Sequence, residues 1–317
     1  MRLTKKISLF AAAAAITAST AVLAAPTFIN VLTGGTSGVY YPIGVALSQL
    51  YSNGIEGSKT SVQATKASVE NLNLLQAGRG ELAFALGDSV SDAWNGVEDA
   101  GFKVPLKKIR AIAGTYPNYI QIVANAESGI KTLEDLKGKR ISVGAPKSGT
   151  ELNARAIFEA AGLSYQDMGK VEFLPYAESV ELIKNRQLDA TLQSSGLGMA
   201  AIRDLASTMK ISFVAIPAEV TAKIDNAAYE AATIPAGTYD GQDADVPTVA
   251  ITNILVSHEG VSDEVAYQMT KLMFDNLGRL GTAHSAAQDI KLETATKNLP
   301  IPLHPGAERF YKEAGAL

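Results

Sequence analysis

The chain has 317 residues, of which 47% are hydrophobic and 19% are charged, a composition typical of a globular protein of about two domains. Its formal net charge of −4 speaks against nucleic-acid binding, which depends on a basic surface. The sequence has no cysteine, which excludes disulfides, thiol catalysis and thiolate metal ligands.

Residues 1–25 are predicted to form a secretory signal peptide. Arg2, Lys5 and Lys6 give a basic start, an apolar Ala-rich run follows, and Ala24 and Ala25 give a small-residue exit. The alternative is a retained membrane anchor, but Ala, Thr and Ser dilute the apolar run. No later stretch is long and apolar enough to span a bilayer. We therefore expect an exported, soluble protein in the periplasm.

A Gly-rich loop, TGGTSGVYYPIG at residues 33–44, follows an apolar strand at residues 28–32 and leads into a helix that ends near Gly54. The free N–H groups and the dipole of a helix start attract anions, although the loop alone fits a capping turn equally well. Glycines allow a ligand to approach the backbone, hydroxyls can bind it, and tyrosines can cover its apolar part. The candidates are Gly35, Thr36, Ser37, Gly38, Tyr40 and Tyr41.

The next elements predict the first lobe and a crossing out of it. Residues 60–64 form a short strand, Ser68 caps a helix, and a further strand ends at Asp88. Asp88 either holds a ligand ammonium or caps the following helix. Residues 110–124 contain two extended runs around residues 116–119, which we interpret as the first crossing between lobes.

A second loop repeats the architecture of the first. Residues 140–145 predict a strand, residues 146–150 a loop, and residues 151–161 a helix. Ser148, Gly149 and Thr150 are candidate anion ligands at this helix start. Lys147 is either a cation beside the bound anion or a solvated lysine.

Internal similarity between residues 70–89 and residues 178–195 predicts two α/β lobes of similar build. In this alignment Gln193 mirrors Gly87 at a strand end, and both loops lie at the carboxyl ends of strands, where ligands of α/β sheets bind. Residues 225–248 are poorly periodic and predict a long surface excursion, and residues 249–256 predict the return crossing.

Catalytic and metal-binding motifs are missing from the sequence. His258, His284 and His304 lie outside both loops, and no HExxH, GxSxG or GxxxxGK[ST] motif occurs. We therefore expect binding without catalysis, with no cofactor and no metal. Two alternatives stay open: an enzyme that acts on a small carboxylate on the same two-lobed scaffold, and a sensor-coupled receptor.

TGGTSGVYYPIG, the SxxN pair Ser68 and Asn71, the strand end near Asp88, then GAPKSGTE and PLHPGAERFYKE occur in an order that resembles the TAXI family. These are extracytoplasmic solute receptors of tripartite ATP-independent periplasmic (TRAP) transporters. The resemblance implies a type II periplasmic-binding-protein fold, in which two α/β lobes joined by crossing strands enclose a ligand cleft. The expected boundaries are residues 26–118 and 250–317 for lobe 1 and 119–249 for lobe 2.

The resemblance further implies a monomer that binds a small carboxylate, such as glutamate, glutamine or 2-oxoglutarate, and delivers it to the membrane subunits of an ion-gradient-driven TRAP permease. It assigns ligand contacts to both loops, namely Thr36, Ser37, Gly38, Tyr40, Ser148, Gly149 and Thr150. The chain departs from the family pattern at Leu86-Gly87, at Lys147 and at Gln193, which bears on the ligand more than on the fold.

Overall fold

A computed structural model describes residues 27–317, so the predicted signal peptide lies outside the described residues. Within them no helix is both long and apolar enough to cross a membrane. The strands are β1 (Thr27–Leu32), β2 (Ser58–Gln63), β3 (Leu82–Leu86), β4 (Ile109–Asn125), β5 (Arg140–Ser142), β6 (Lys170–Glu172), β7 (Ala190–Ser195), β8 (Ile211–Val214), β9 (Glu230–Ile234) and β10 (Val246–His258).

The helices alternate with these strands in the first two thirds of the chain and follow one another after β10. They are α1 (Tyr40–Gly54), α2 (Ser68–Gln76), α3 (Gly87–Asn95), α4 (Gly149–Ala160), α5 (Tyr176–Lys184), α6 (Ala200–Thr208), α7 (Ala218–Thr221), α8 (Asp263–Asp275), α9 (Leu277–Ala283) and α10 (Pro305–Glu313). Short 3-10 helices occupy Ala126–Ser128, Glu134–Leu136, Tyr165–Asp167 and Ser285–Asp289.

One sheet runs through the described residues in the order β2-β1-β3-β10-β4-β7-β5-β6, with β8 beside β4 and β9 beside β10. Strands β1, β2 and β3 pair in parallel, and so do β5, β6 and β7. The long strands β4 and β10 separate these two groups and pair with each other in antiparallel orientation. Two α/β lobes joined by two crossing strands are therefore present, as predicted. Here lobe 1 denotes β1–β3 with α1–α3 and α8–α10, and lobe 2 denotes β5–β9 with α4–α7.

Strand β4 passes through residues 116–119, where we predicted an interruption. Pro117 lies opposite Thr252 of β10, next to a register shift between Thr252 and Ile254. A proline gives no N–H to a sheet and is tolerated at such irregularities, so one strand of 17 residues replaces the two predicted runs. The boundaries at 118/119 and 249/250 stay predictions, because β4 and β10 run through both lobes without a break.

The helical stripes predicted from periodicity form the cores of both lobes. Ile43 and Leu47 of α1 are buried in a cluster that extends to Tyr311. Ile157 and Phe158 of α4 are buried in a second cluster in lobe 2. Burial of such faces is the main favourable contribution to folding.

Three local predictions were wrong. The excursion at residues 225–248 contains β9, which pairs with β10 and has no hydrophobic period because only Ile234 in it is buried. The strand predicted to end at Asp88 ends at Leu86, and Asp88 lies in the first turn of α3 rather than at its cap. Ser68 does not cap α2; its hydroxyl accepts the N–H of Leu86 at 3.1 Å.

Candidate ligand-binding site

A cavity of about 130 Å³ lies between the two lobes, at the carboxyl ends of β1, β3 and β7. Both predicted loops contribute to its walls, and so do the starts of α2 and α5. The residues that line it are Gly34, Gly35, Gly38, Val39, Tyr40, Thr65, Lys66, Ala67, Ser68, Leu86, Asn118, Ala145, Ser148, Thr150, Pro175, Tyr176, Ser194 and Ser195.

Five helices begin at this cavity. Their N-cap residues, which are Val39, Ala67, Leu86, Ser148 and Pro175, all line it. Only Ser148 among them caps its helix with a side chain. The first N–H groups of a helix have no intrahelical acceptor, and each helix start carries about half a positive charge. The cavity is therefore surrounded by positive dipole ends and by backbone donors that have no acceptor within their own helix.

One charged side chain adds to this positive character. Lys66, an exposed residue, is the one charged residue that lines the cavity, and no carboxylate is among the lining residues. Helix α3 has a carboxylate of its own at its start, since Asp88 accepts the N–H of Ser89 at 2.6 Å. The arrangement is that of an anion site.

Two tyrosines form the more apolar part of the lining. The ring of Tyr40 stacks on Phe84 at a centroid distance of 5.0 Å, and its hydroxyl donates to Asn253 Oδ1 at 2.5 Å. The Tyr176 hydroxyl lies 2.5 Å from Thr150 Oγ1 and donates to the carbonyl of Ser194 at 2.7 Å. Burial raises the pKa of Tyr40, and that of Tyr176 to about 12. Both phenols are therefore neutral at ordinary pH.

The two lobes touch across the cavity. A Cβ atom on Gly149 of α4 would lie 2.6 Å from Ser68 Oγ and 2.7 Å from Leu86 Cδ1. A Cβ atom on Gly38 would lie 3.6 Å from the ring of Tyr176. The helix starts of both lobes therefore face the same small volume.

A family model described as the NMT1-like family matches residues 31–315. The chain belongs to the NMT1-like family. Comparison with solved structures shows the fold of this chain. The alkanesulfonate-binding protein SsuA from Xanthomonas axonopodis pv. citri, bound to MOPS, is 17% identical over 91% of this chain and 84% of that chain, with a TM-score of 0.50.

Two further structures match with comparable sequence identity and TM-score. A binding protein component of an ABC phosphonate transporter from Pseudomonas aeruginosa is 12% identical over 84% of this chain and 80% of that chain, with a TM-score of 0.51. A putative L-cystine ABC transporter from Listeria monocytogenes is 14% identical over 84% of this chain and 98% of that chain, with a TM-score of 0.51. At these identities the likeness establishes the periplasmic-binding-protein fold, and with it the predicted fold class.

The cavity of this NMT1-like protein brings together five of the twelve predicted ligand residues, namely Gly35, Gly38, Tyr40, Ser148 and Thr150. The other seven lie outside its lining: Thr36, Ser37, Tyr41, Asp88, Lys147, Gly149 and Gln193. A ligand role for any of the twelve stays a prediction.

The positions of the excluded residues have local causes. Thr36 and Lys147 are exposed, and Lys147 has a left-handed φ of 56° that turns the chain at this point. The carbonyl of Ser37 accepts the N–H of Ala201 at 3.4 Å. Gln193 is fully buried in β7, where the cavity is reached only by the last two residues of the strand, Ser194 and Ser195.

Asp88 is buried in a contact between the lobes. Its Oδ2 accepts from Asn153 Nδ2 of α4 at 2.7 Å and from the hydroxyl of Tyr229 at 2.7 Å. The residue is 2% exposed, and burial raises its pKa while the donors from Tyr229, Ser89 and Asn153 act in the opposite direction. Asp88 thus joins α3 to two segments of lobe 2.

Thirteen of the eighteen lining residues were not predicted, among them Lys66, Asn118, Tyr176 and Ser194. The internal similarity contained a signal for one of them. When Glu70 is aligned with Glu178, Tyr176 takes the position of Ser68, and both residues are the first of their helices at the cavity.

Ser148→Ala is expected to weaken both folding and anion binding. The Ser148 hydroxyl accepts the N–H of Glu151 at 3.2 Å, which leaves its own proton available for a ligand. Loss of a cap costs about 1 kcal/mol. Ser262→Ala is the matched control, because Ser262 caps α8 in the same way by accepting from Val265. Both variants should lose stability in urea denaturation, but only Ser148→Ala should lose affinity, by about tenfold or more. Equal affinity in the two variants would contradict this assignment.

Asp92→Asn is expected to raise stability at neutral pH. Burial and the charge of Asp88 raise the pKa of Asp92 to about 6. Folded protein therefore binds this proton more tightly than unfolded chain does, and the free energy of unfolding falls as pH rises from about 4 to about 6. The variant should lose less stability over this range. Because Asp92 is only half-buried, solvent screening keeps the gain at pH 7 well below the roughly 3 kcal/mol that the full pKa shift would give. Urea denaturation at pH 4 to 7, with exposed Asp240→Asn as control, measures the slope; identical slopes would refute the account.

Proposed function

We propose that this protein is a periplasmic solute-binding protein that captures a small carboxylate between its lobes. In this proposal it acts as a monomer after export, and it delivers the ligand to the membrane subunits of an ion-gradient-driven TRAP permease. The fold and the NMT1-like family support a binding protein. The permease class and the carboxylate are supported by the resemblance of the sequence motifs to the TAXI family.

The main observation in favour of an anionic ligand is that five helices begin at one cavity and that no carboxylate lines this cavity. Positive dipole ends that face the same small volume repel one another unless an anion lies between them. Lys66 is the one charged side chain in the lining, and its positive charge also attracts an anion. A neutral sugar would gain no electrostatic stabilisation from these positive helix ends.

The size of the cavity favours a compact ligand. Its volume of about 130 Å³ is close to that of an engineered cavity of about 150 Å³ that binds benzene. A micromolar dissociation constant corresponds to about −8.2 kcal/mol. Three or four charge-assisted hydrogen bonds of about 1.5–3 kcal/mol each reach this value without a metal. Within residues 27–317, no group of three or more His, Asp or Glu side chains is placed to hold one.

Other oxyanions are the nearest competitors of a carboxylate. Two structural relatives carry the names of an alkanesulfonate-binding protein and a phosphonate transporter component, and helix starts bind such groups equally well. The TAXI resemblance favours the carboxylate, and a ligand panel with sulfonates and phosphonates separates these classes.

Catalysis on the same scaffold is the alternative from another functional class. Tyr40 and Tyr176 are the titratable phenols in the lining, and both have raised pKa values and engaged hydroxyls, which makes them poor bases at neutral pH. The three histidines are not lining residues. A sensor-coupled receptor would use the same cavity, and the membrane protein that the closed form contacts would distinguish it from a transport receptor.

The proposal is tested by thermal shift of protein that has been unfolded and refolded to remove bound ligand. The panel holds C3 to C5 carboxylates, sulfonates, phosphonates and neutral sugars. A ligand at 100 times its dissociation constant adds about 2.7 kcal/mol, which raises the melting temperature by a few degrees. A shift with a sugar alone, or turnover of a bound acid, would refute the proposed function.

A further inference from the structure

The two lobes also meet outside the cavity, at a polar contact around Asp88. Asp88 belongs to α3 of lobe 1, Asn153 to α4 of lobe 2, and Tyr229 precedes β9 of lobe 2. None of the three lines the cavity. Asp88 Oδ2 accepts from Asn153 Nδ2 and from the Tyr229 hydroxyl, each at 2.7 Å. Asn153 Nδ2 also donates to that hydroxyl at 2.8 Å, so the three side chains form one closed set of hydrogen bonds between the lobes.

The carboxylate of Asp88 depends on donors from the other lobe. The residue is 2% exposed, and no ion pair within residues 27–317 includes it. Lobe 1 supplies one donor, the N–H of Ser89, and lobe 2 supplies the other two. Burial raises the pKa of Asp88 although these donors lower it, so the hydrogen bonds do not fully offset the cost of burying the charge. Loss of one donor would increase that cost.

The contact around Asp88 is one of several along α3 and α4. Nη1 of Arg155 in α4 donates to the carbonyl of Asp99 in lobe 1 at 3.2 Å. Leu152 of α4 packs against a buried cluster of lobe 1 that contains Val90 of α3. The polar contact therefore lies within a packed junction between the lobes, which keeps water from the carboxylate.

Separation of the lobes would change the surroundings of Asp88. In a separated form water can reach the carboxylate and replace the two donors of lobe 2. Removal of the Tyr229 hydroxyl therefore costs free energy mainly in the form in which the lobes touch, where no water takes its place. The contact thus acts on the equilibrium between joined and separated lobes, and a ligand that binds between the lobes is linked to the same equilibrium.

We propose that Asp88, Asn153 and Tyr229 form a latch that holds the two lobes together and sets ligand affinity without touching the ligand. Asn153 and Tyr229 are positioning residues, because they act on the ligand only through the distance between the lobes. The effect on affinity rests on the proposed function, whereas the effect on the lobes does not.

Spin labels on the two lobes test the latch without any ligand. The chain has no cysteine, so Asn95→Cys in α3 and Glu159→Cys in α4, both at exposed positions, each accept one nitroxide. In refolded, ligand-free protein, Tyr229→Phe is expected to give a longer and broader distance distribution than the labelled parent. Tyr165→Phe is the matched control, because the Tyr165 hydroxyl donates to Glu151 Oε1 at 3.0 Å within lobe 2. Equal distributions for the parent and Tyr229→Phe would overturn the proposal.

Calorimetry with 2-oxoglutarate and glutamate measures the effect on affinity. Tyr229→Phe is expected to weaken the binding of each acid that the parent binds by about tenfold or more, and by the same factor where both bind. Asn153→Ala, which removes the other donor from lobe 2, should act in the same direction, and Tyr165→Phe should keep the parent affinity. Unequal factors for the two acids would mean that Tyr229 contacts the ligand, which contradicts a positioning role. If neither acid binds the parent, the result counts against the proposed function, and the distance measurement still decides the latch.

Discussion

Gly149→Ala is expected to abolish tight ligand binding while the protein still folds. The added Cβ atom would lie 2.6 Å from Ser68 Oγ and 2.7 Å from Leu86 Cδ1, which belong to the other lobe. Real Cβ atoms do not approach other atoms so closely. Ser68 Oγ and Leu86 Cδ1 are side-chain ends that can turn, but Ser68 Oγ already accepts the N–H of Leu86 and Ser68 Cβ would lie at 3.0 Å. We therefore expect the variant to push the two lobes apart where their helix starts meet. Gly149 is the first residue of α4 and its φ is not left-handed, so its backbone accepts alanine and the fold itself should not suffer.

The expected loss of affinity is at least tenfold, or about 1.4 kcal/mol. Ligand binding favours the form in which the two lobes are close together, and the methyl group added by Gly149→Ala opposes that form. Calorimetry with the ligand found by the panel measures it. Gly278→Ala is the matched control, since Gly278 lies at the start of α9 with no atom within 4 Å of its added Cβ. Wild-type affinity in Gly149→Ala would show that ligand binding does not bring these two helix starts together.

Asn253→Leu is expected to cost about 3 kcal/mol or more of folding stability. Asn253 is fully buried in β10; its amide donates to the carbonyl of Tyr116 and to Asn118 Oδ1 at 2.8 Å, and its Oδ1 accepts from the hydroxyl of Tyr40. Leucine has a similar volume but leaves three buried polar groups without a partner, each at about 1–3 kcal/mol. Urea denaturation measures the loss against a total of about 5–15 kcal/mol.

A double-mutant cycle separates this hydrogen-bond network from packing. Tyr40→Phe removes one donor to Asn253 and keeps the ring that stacks on Phe84. Because the two residues share a hydrogen bond, the double variant should lose less stability than the sum of the single variants. Strict additivity would mean that Asn253 stabilises the crossing strands in some other way.

Much of this fold follows from local sequence patterns. The apolar spacing in α1 and α4, the Gly-rich loops before them and the serine caps at Ser148 and Ser262 are all encoded within a few residues. The two crossings were also predictable, because they are long extended runs that flank the second lobe. The strand β9 was not, since its formation depends on hydrogen bonds to β10 rather than on its own composition.

The cavity lining was predicted only in part, because its members come together through distant pairings. Asp88 lies at a strand end in the sequence, as a ligand for an ammonium would, yet its partners are Asn153 and Tyr229, which are 65 and 141 residues away. No local pattern encodes such contacts. Lys147 and Lys66 are both cations beside a helix start, and only the placement of the chain shows that Lys66 lines the cavity.

The position of β10 in the sheet has a consequence for the order of folding. Strand β10 pairs with β3, and the buried hydroxyl of Tyr311 in α10 donates to the carbonyl of Ile112 in β4. Lobe 1 is therefore built from segments on both sides of lobe 2, whereas β5, β6 and β7 form their lobe from one continuous stretch. Contacts between distant segments form slowly because the intervening chain must first be closed into a loop. Lobe 2 can thus become ordered first, and the half of the cavity that carries the first Gly-rich loop is completed only when β10 and α10 join it.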